Sequence, residues 1–308
     1  MRTLVTGGAG FIGSHVVEAL IARGDQVTVI DDLSSGNPVS LPASTPLVEA
    51  DVASPRTIEL IAGLRPELVF HLAAQVSVIR SMVDPDRDLQ VNVVGTRNVL
   101  AGAAAVGSAR VIFVSSGGAI YGETNRATEA TPIAPASYYG VHKFTAEQYV
   151  ALSGLPYAIA RLANVYGRRQ RSDLEGGVVA IFSERLAAGQ PVTIFGSGDQ
   201  CRDFIHVDDI VAALLAMADS HRNGLWNVGT GEATTVNELL QEIEGVLNVV
   251  ADVHREPARS GEILASSLSF DRIHRELGWR PRLDLVAGLQ ATALPGLPVR
   301  ASGGARSD

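Results

Sequence analysis

A tyrosine and a lysine stand four residues apart in the segment SYYGVHK, at Tyr139 and Lys143. On a helix, residues at this spacing lie on the same face. An ammonium about 4 Å from a phenol favours the phenolate by on the order of 4 kcal/mol at an effective dielectric near 20, or about three pKa units. The pair therefore predicts that the pKa of Tyr139 falls toward neutrality, against the opposing effect of burial, and that Tyr139 serves as a general base. Tyr138 misses this spacing, and we expect it to pack instead.

A glycine-rich turn near the start of the chain, in LVTGGAGFIGSHVVEAL, predicts a dinucleotide site. Gly7, Gly10 and Gly13 follow a predicted strand and precede a predicted helix. Glycines there permit a tight turn and let backbone N–H groups approach a pyrophosphate at the helix N-terminus. Asp31 ends the next predicted strand, at the offset where a carboxylate meets the adenosine ribose. Such a carboxylate repels a 2′-phosphate, which predicts NAD rather than NADP, and Asp32 could share the role.

Around these motifs, short apolar segments alternate with helical patterns through the first half of the chain. The predicted strands are RTLVT, QVTVI, PLVEA, ELVFH, RVIFVSS and YAIAR, and the predicted helices are SHVVEALIAR, SPRTIELIAGL, LQVNVVGTRNVLAGAAAV and YYGVHKFTAEQYVALS. This alternation predicts an α/β fold, a Rossmann-type doubly wound parallel sheet.

The pattern loosens after about residue 165, which predicts a smaller C-terminal α/β lobe that binds the substrate. We expect the first domain over residues 1–165, to which later segments such as IHVDDIVAALLAMA can return, and the lobe over residues 166–294. Residues 295–308 are rich in Gly, Pro, Ser and Ala, so we expect a frayed tail there.

The composition argues against several classes of protein. A net charge of −8 disfavours a nucleic-acid binder, which needs clustered cations. No apolar run approaches the roughly 18 residues of a membrane span, and no secretory signal precedes the first predicted strand. The single cysteine, Cys201, cannot form an internal disulfide. The histidines lack metal-ligand spacing. We expect a cytoplasmic protein with no membrane partner and no metal.

These motifs make the chain similar to the NAD-dependent epimerase/dehydratase family, the extended short-chain dehydrogenases/reductases, from residue 2 to about residue 282. The resemblance implies that further residues line the cofactor. These are Phe11, Ile12, Asp51, Val52, Ala73, Ala74, Gln75 and Asn92. It also implies a homodimer formed through the helices that carry Asn92 and Tyr139.

The resemblance further implies a UDP-sugar substrate and assigns residues to it. These are Asn164, Val178, Phe195, Arg202, Arg259 and Glu262. The guanidinium groups suit the diphosphate oxygens. Arg168, Arg169 and Arg171 lie in the loop expected to approach the hexose, where a uronate carboxylate could find a partner.

Relatives place a Ser or Thr four residues before the tyrosine that matches Tyr121, and Gly117 occupies that position here. Two nearby hydroxyls are candidates for the missing one. Ser116 is adjacent, and Ser115 shares a face with position 117 if the strand continues that far. A bound water is the third option.

The same segment discriminates between reactions. Gly118 and Ala119 stand where dehydratases of this family carry Asp-Glu and decarboxylases keep a Glu. The resemblance therefore implies a redox-neutral 4-epimerase, in which Tyr139 takes the C4 hydroxyl proton while NAD accepts the hydride and returns it to the other face. UDP-glucose/UDP-galactose and UDP-glucuronate/UDP-galacturonate both stay open. The alternatives are a dehydratase, a net dehydrogenase or reductase, and a non-catalytic NAD-binding scaffold.

Overall fold

A computed structural model describes residues 1–107, 109–173, 177–258 and 263–292. The strands of these residues are β1 (Arg2–Thr6), β2 (Gln26–Asp31), β3 (Leu47–Glu49), β4 (Leu68–His71), β5 (Arg110–Ser116), β6 (Thr124–Ala127), β7 (Tyr157–Leu162), β8 (Asn164–Tyr166), β9 (Val192–Phe195), β10 (Cys201–Arg202), β11 (Phe204–His206), β12 (Gly224–Val228), β13 (Thr234–Thr235), β14 (Val253–Glu256) and β15 (Ala265–Leu268). The helices are α1 (Phe11–Ala22), α2 (Arg56–Leu64), α3 (Val78–Val83), α4 (Pro85–Leu89), α5 (Thr96–Ala104), α6 (Gly117–Tyr121), α7 (Tyr138–Leu152), α8 (Val178–Ala187), α9 (Val207–Asp219), α10 (Val236–Leu247), α11 (Asp271–Leu277) and α12 (Leu285–Thr292). A 3-10 turn (Pro38–Ser40) and a π-helical turn (Gln90–Gly95) complete the set.

The main sheet has seven parallel strands in the order β12-β7-β5-β4-β1-β2-β3. The chain builds outward from β1 to β3, then returns to the other side of β1 and continues from β4 to β12. The direction of winding therefore reverses between β1 and β4, the place where doubly wound sheets bind ligands. The predicted Rossmann-type fold is confirmed.

Three small sheets lie outside the main one, in the orders β13-β10-β15-β6, β11-β8 and β14-β9. Most of their strands come from the second half of the chain, but β6 precedes residue 165 and β12 returns to the main sheet from beyond it. The domain boundary at residue 165 stays a prediction.

Both faces of the main sheet are covered by helices. Consecutive strand residues point to opposite faces, so Val5 packs with α1 and α9, whereas Leu4 packs with α2, α5 and α7. Phe70 and Val69 divide between the two clusters in the same way. Burial on both faces explains why these strands are almost continuously apolar.

One predicted helix, LQVNVVGTRNVLAGAAAV, is wrong as a single regular element. The structure ends α4 at Leu89, inserts the π-helical turn and begins α5 at Thr96. Thr96 Oγ1 donates to the Asn92 carbonyl oxygen at 2.7 Å, a local side-chain bond that competes with regular helical bonding. Turns of this kind often occur at functional sites.

A buried ion pair ties α7 to β7. Arg161 donates from Nε and Nη2 to the two carboxylate oxygens of Glu147, at 2.9 and 2.6 Å. The guanidinium also lies 4.7 Å from the centre of the Tyr121 ring. Since Glu147 has no exposed side-chain surface and Arg161 only 4%, neither charge has water as an alternative partner.

We expect Glu147→Ala to lower the free energy of unfolding by about 3 to 5 kcal/mol, because it leaves the buried Arg161 guanidinium without its charge partner. Urea unfolding followed by circular dichroism measures the loss. Glu242→Ala, an exposed glutamate inside α10, is the matched control and should change stability by less than about 0.5 kcal/mol. Equal effects from the two variants would contradict the importance of the buried pair.

Candidate active site

The carboxyl ends of the parallel strands bring the predicted site residues to one edge of the sheet. Gly7 follows β1, Asp31 ends β2, and Ala73 comes two residues after β4. Ser116 ends β5 beside Leu162 of β7, and Asn164 follows two residues later. One edge therefore carries the glycine turn, the acidic residue and the candidate hydroxyl.

The glycine turn is shaped by backbone contacts that leave no room for side chains. Gly7 has φ of +71°, and a Cβ there would lie 2.6 Å from the Ala73 backbone nitrogen. A Cβ on Gly13 would overlap the Gly7 carbonyl oxygen. The turn thus packs β1, α1 and the segment after β4 tightly together.

The turn delivers the N-terminus of α1 to the sheet edge. Gly10 is the N-cap of α1 and supplies no side-chain cap, and no acidic residue lies in the first turn, which begins with Phe11 and Ile12. The first N–H groups and the positive end of the helix dipole are thus left for an anion such as a pyrophosphate.

Asp31 is buried beside this turn. Its carboxylate accepts from the backbone N–H groups of Ala9 and Leu33, both at 2.9 Å. Burial raises the pKa of Asp31, the two backbone hydrogen bonds oppose the rise, and the charge of Asp32 adds to it. The loop that holds Asp31 is so close that a Cβ on Gly36 would lie 2.8 Å from its Oδ1.

Asp32 and Asp51 each turn one carboxylate oxygen toward Arg87 of α4. Arg87 Nη1 donates to Asp51 Oδ2 at 2.9 Å, and Nη2 lies 3.7 Å from Asp32 Oδ2. Val52, next to Asp51, is buried against Gly95 of the π-helical turn. Arg87 was missed from the sequence because one arginine in a helical segment carries no spacing signal.

Asn92 provides a test of whether this crevice fits a dinucleotide. Its Nδ2 donates to the Gln75 carbonyl oxygen at 3.0 Å, while its Oδ1 is buried and has no hydrogen-bond partner among the described residues. A buried unpaired amide oxygen is unfavourable unless a ligand satisfies it. With Ala73 and Ala74 beside the glycine turn, the residues of the crevice fit a bound dinucleotide.

Ser116, and not Ser115, interacts with Tyr139. Interaction with the Ser116 hydroxyl lowers the pKa of the Tyr139 phenol, and Ser115 makes no such contribution. Ser115 Oγ is buried without a partner among the described residues. The condition under which Ser115 would share a face with position 117 is not met, because β5 ends at Ser116 and α6 begins at Gly117.

The position expected to carry the family hydroxyl has no space for a side chain. A Cβ on Gly117 would lie 2.5 Å from Leu268 Cδ1. A Cβ on the next glycine, Gly118, would lie 3.0 Å from Ser266 Oγ. Both contacts come from β15, a strand that the sequence reading did not predict.

Lys143 lies on the same side of α7 as Tyr139, as the spacing predicted, but its ammonium group is hydrogen-bonded to β5. Its Nζ donates to the Val114 carbonyl oxygen at 2.7 Å and lies 4.2 Å from the centre of the Phe113 ring. Burial lowers the pKa of Lys143 to about 8, although the charges of Glu147 and Asp88 oppose the shift.

The prediction that the pKa of Tyr139 falls toward neutrality is wrong when only the groups of the protein act on the phenol. Burial raises it to about 12, the hydrogen bond with Ser116 opposes the rise, and the charge of Asp88 adds to it. Desolvation of the phenolate outweighs the attraction of one cation that is already bonded to Val114.

Asp88 is a second residue that the sequence reading missed. It is fully buried and accepts from Gln75 Nε2 at 2.7 Å and from His142 Nδ1 at 2.6 Å. Because Asn92 holds the Gln75 carbonyl, this network joins the segment after β4 to the helix that carries Tyr139. Tyr138 does not pack as expected: it is 46% exposed, with its ring stacked on His142.

The predicted substrate residues fall on several elements of the second half. Asn164 begins β8 and pairs with Phe204 of β11. Val178 is the first residue of α8, Phe195 ends β9, and Arg202 ends β10. Arg259 and Glu262 lie outside the described residues.

Two of the three arginines expected near the hexose, Arg169 and Arg171, have side chains that are engaged elsewhere. Arg169 Nη2 donates to Glu18 of α1 at 2.8 Å, and Arg171 pairs with Asp173 and donates to the Ser35 carbonyl oxygen. The Arg168 carbonyl oxygen lies 2.9 Å from His15 Nε2. This loop therefore contacts α1 and the segment after β2.

Comparisons with known proteins show the family of this chain. The model of the NAD dependent epimerase/dehydratase family matches residues 3–229. The chain belongs to this family. The UDP-glucose 4-epimerase of Mycolicibacterium smegmatis is 41% identical over 304 residues, 95% of this chain and 97% of its own.

Two solved structures of the epimerase/dehydratase family share the fold closely. The UDP-glucose 4-epimerase of Thermotoga maritima with UDP-glucose gives a TM-score of 0.91 at 41% identity, covering 95% of this chain and 97% of that one. The Thermus thermophilus enzyme in complex with NAD gives 0.91 at 39% identity, covering 95% and 98%. Family membership and the fit of the crevice identify NAD as the cofactor.

The described residues lack two further kinds of feature. They contain no helix with the length and apolarity to cross a bilayer. They also contain no group of three or more His, Cys, Asp or Glu side chains arranged to hold a metal ion.

We expect Asp88→Asn to move the whole pH profile of catalysis to lower pH. The negative charge of Asp88 raises the pKa of both Tyr139 and Lys143, so its removal makes both groups lose their protons at lower pH. Turnover measured across the pH range under saturating substrate checks this shift. Asp86→Asn, an exposed carboxylate on the same helix, should leave the profile in place. A profile that moves upward, or shifts equally in both variants, would contradict the assignment.

Proposed function

We propose that this protein is an NAD-dependent UDP-sugar 4-epimerase that interconverts UDP-glucose and UDP-galactose. The observation that carries the proposal is a crevice that fits a dinucleotide, with the glycine turn and the unpaired Asn92 Oδ1, next to the helix that carries Tyr139 and Lys143. Positions 118 and 119 hold glycine and alanine, so no acid or base for elimination stands there. Reversible oxidation at C4 is the reaction this arrangement supports.

The chain's own residues divide the work of holding the cofactor and moving the proton. Gly7, Gly10 and Gly13 accommodate the pyrophosphate with Phe11 and Ile12 behind them, and Asp31 accepts from the adenosine ribose. Asp32, Asp51, Val52, Ala73, Ala74, Gln75 and Asn92 complete the cofactor site. Bound NAD⁺ would supply a reversible hydride acceptor for C4 and a positive charge that favours the phenolate. Tyr139 takes the C4 hydroxyl proton and gives it back, with Ser116 as its hydrogen-bond partner and Lys143 as the nearby cation.

On the sugar side, Asn164 and Arg202 suit the diphosphate, and Val178 and Phe195 border the base. Arg259 and Glu262 complete the site by the family resemblance. A neutral hexose is supported because two of the three loop arginines that could meet a uronate, Arg169 and Arg171, are engaged with Glu18 and Asp173. The cytoplasmic location expected from the sequence stays part of this proposal.

The direct test incubates the purified, NAD-loaded protein with UDP-glucose and with UDP-glucuronate and separates the products by anion-exchange chromatography. We expect UDP-galactose from the first and at least tenfold slower conversion of the second, about the effect of one uncompensated charge contact. No C4 epimer from any UDP-hexose would refute the epimerase proposal. Faster conversion of the uronate would refute the choice of a neutral sugar.

We expect Ser116→Ala to reduce turnover on the order of 10²-fold, because Tyr139 loses its hydroxyl partner. Tyr139→Phe should reduce it by about 10² to 10⁴-fold. Ser115→Ala is the matched control, since its hydroxyl has no partner among the described residues, and turnover should stay within about twofold of the unmodified protein. A larger loss in Ser115→Ala than in Ser116→Ala would reverse the assignment of the two serines.

We also propose a homodimer formed through α7 and its neighbours. Tyr138, Val141, Tyr149 and Leu152 are exposed, and separations of 3, 11 and 14 residues are close to whole helical turns, so the four lie on one side of α7. Exposed Ile79 and Met82 of α3, which packs beside α7, extend the apolar surface. A second copy of this chain is the occupant that the family resemblance favours for this surface.

We expect Leu152→Glu to convert the dimer to a monomer, because a charge would then lie in the apolar contact. Leu152 is 86% exposed, so the monomer should fold normally. Sedimentation velocity measures the change. Val250→Glu, at a residue 93% exposed after α10, is the control and should stay dimeric. A monomeric unmodified protein would refute the dimer without touching the reaction.

A further inference from the structure

Arg87 joins three parts of the chain that meet at one end of the cofactor crevice. It lies on α4, whose C-terminus leads directly into the π-helical turn that carries Asn92. Its guanidinium reaches Asp51 at 2.9 Å after β3 and approaches Asp32 at 3.7 Å after β2. Asp31, the group proposed for the adenosine ribose, is the last residue of β2 and accepts from the Ala9 N–H of the glycine turn. Arg87 therefore spans the adenosine end of the crevice.

Both aspartates are arranged to leave one oxygen for Arg87. Asp51 Oδ1 accepts from the Ala53 N–H at 2.8 Å, and Asp32 Oδ1 accepts from the N–H and hydroxyl of Ser34. Their other oxygens, both Oδ2, face the same guanidinium. Each carboxylate is thus held by hydrogen bonds within its own turn. The side-chain entropy lost on forming the bridge is therefore mainly that of Arg87.

The exposure of this bridge limits what it can do. The side chains of Arg87, Asp32 and Asp51 are 46%, 31% and 34% exposed. Ion pairs at such exposure contribute little to global stability and are weakened by salt. A contact that is weak, reversible and formed by two residues proposed to line the cofactor is suited to slowing ligand exchange rather than to holding the fold.

We propose that Arg87 is a cofactor-retention residue, which bridges Asp32 and Asp51 to close the adenosine end of the crevice and slow the release of NAD. This inference rests on the proposed function, because an epimerase that regenerates its cofactor in each cycle has use for a tightly held NAD. Arg87 acts through the two carboxylates and takes no part in proton transfer. Its planar guanidinium can serve both carboxylates at once, which a lysine ammonium does less well.

The test measures NAD release directly. Protein loaded with NAD⁺ is freed of excess nucleotide by desalting and mixed with an alcohol dehydrogenase and ethanol, which reduce released NAD⁺ to NADH for optical detection. We expect Arg87→Ala to release NAD about three- to tenfold faster than the unmodified protein at low salt. Arg87→Lys should fall between the two. Arg56→Ala, an exposed arginine at the start of α2, is the control and should match the unmodified protein.

Ionic strength separates this role from a merely structural one. Raising the salt from about 0.05 M to about 0.5 M screens the bridge, so release from the unmodified protein should accelerate toward that of Arg87→Ala, which should respond much less. Equal release rates, or an equal response to salt, would overturn the inference. So would a lowered melting temperature of NAD-free Arg87→Ala that accounts for the faster release.

The outcomes also separate this inference from the proposed function. An unmodified protein that takes up no NAD⁺ fails the proposed function itself. A protein that epimerises UDP-glucose and retains NAD equally well with and without Arg87 overturns the retention role alone.

Discussion

The buried ammonium of Lys143, on the helix that carries Tyr139, is the constraint on which the candidate site depends. Lys143 is 3% exposed, so its charge must be satisfied by the protein. The Val114 carbonyl oxygen, the face of the Phe113 ring and the charges of Glu147 and Asp88 do so. The two carboxylates are held in turn, Glu147 by Arg161 and Asp88 by His142 and Gln75. The position of α7, and with it the phenol of Tyr139, thus follows from the burial of one cation.

The layer beneath the cofactor is fixed by hydroxyls around His71. Burial lowers the pKa of His71 to about 3, so its ring is neutral. The Thr96 hydroxyl gives its proton to the Asn92 carbonyl, so it must accept from His71 Nε2, and His71 Nδ1 must accept from Thr6. The neutral His71 ring therefore carries its proton on Nε2. These hydrogen bonds link β1, β4 and the π-helical turn. They could not be predicted from the sequence, because isolated threonines and a single histidine form no recognisable pattern.

Sequence patterns sufficed where local periodicity decides structure. Six strands of the main sheet, the glycine turn and the shared face of Tyr139 and Lys143 follow from spacing, and the fold class is confirmed, but β12 was not predicted. Predictions failed where distant residues decide. The pKa of Tyr139 depends on how deeply the phenol is buried, and the choice between Ser115 and Ser116 depends on where β5 ends. Gly117 is glycine because Leu268 packs against it, a contact across about 150 residues that no local pattern contains.

The charge distribution explains how a chain of net charge −8 can hold two anionic ligands. At the glycine turn the attraction comes from backbone N–H groups and the dipole of α1, whose first turn carries no acidic residue. Nearby arginine side chains do not add to it, because Arg169 and Arg171 are bound by Glu18 and Asp173, and Arg87 by Asp32 and Asp51. Because backbone dipoles are fixed by the fold, the pyrophosphate contact should depend less on salt than the bridges around it. The strength of cofactor binding and its rate of exchange therefore rest on different groups.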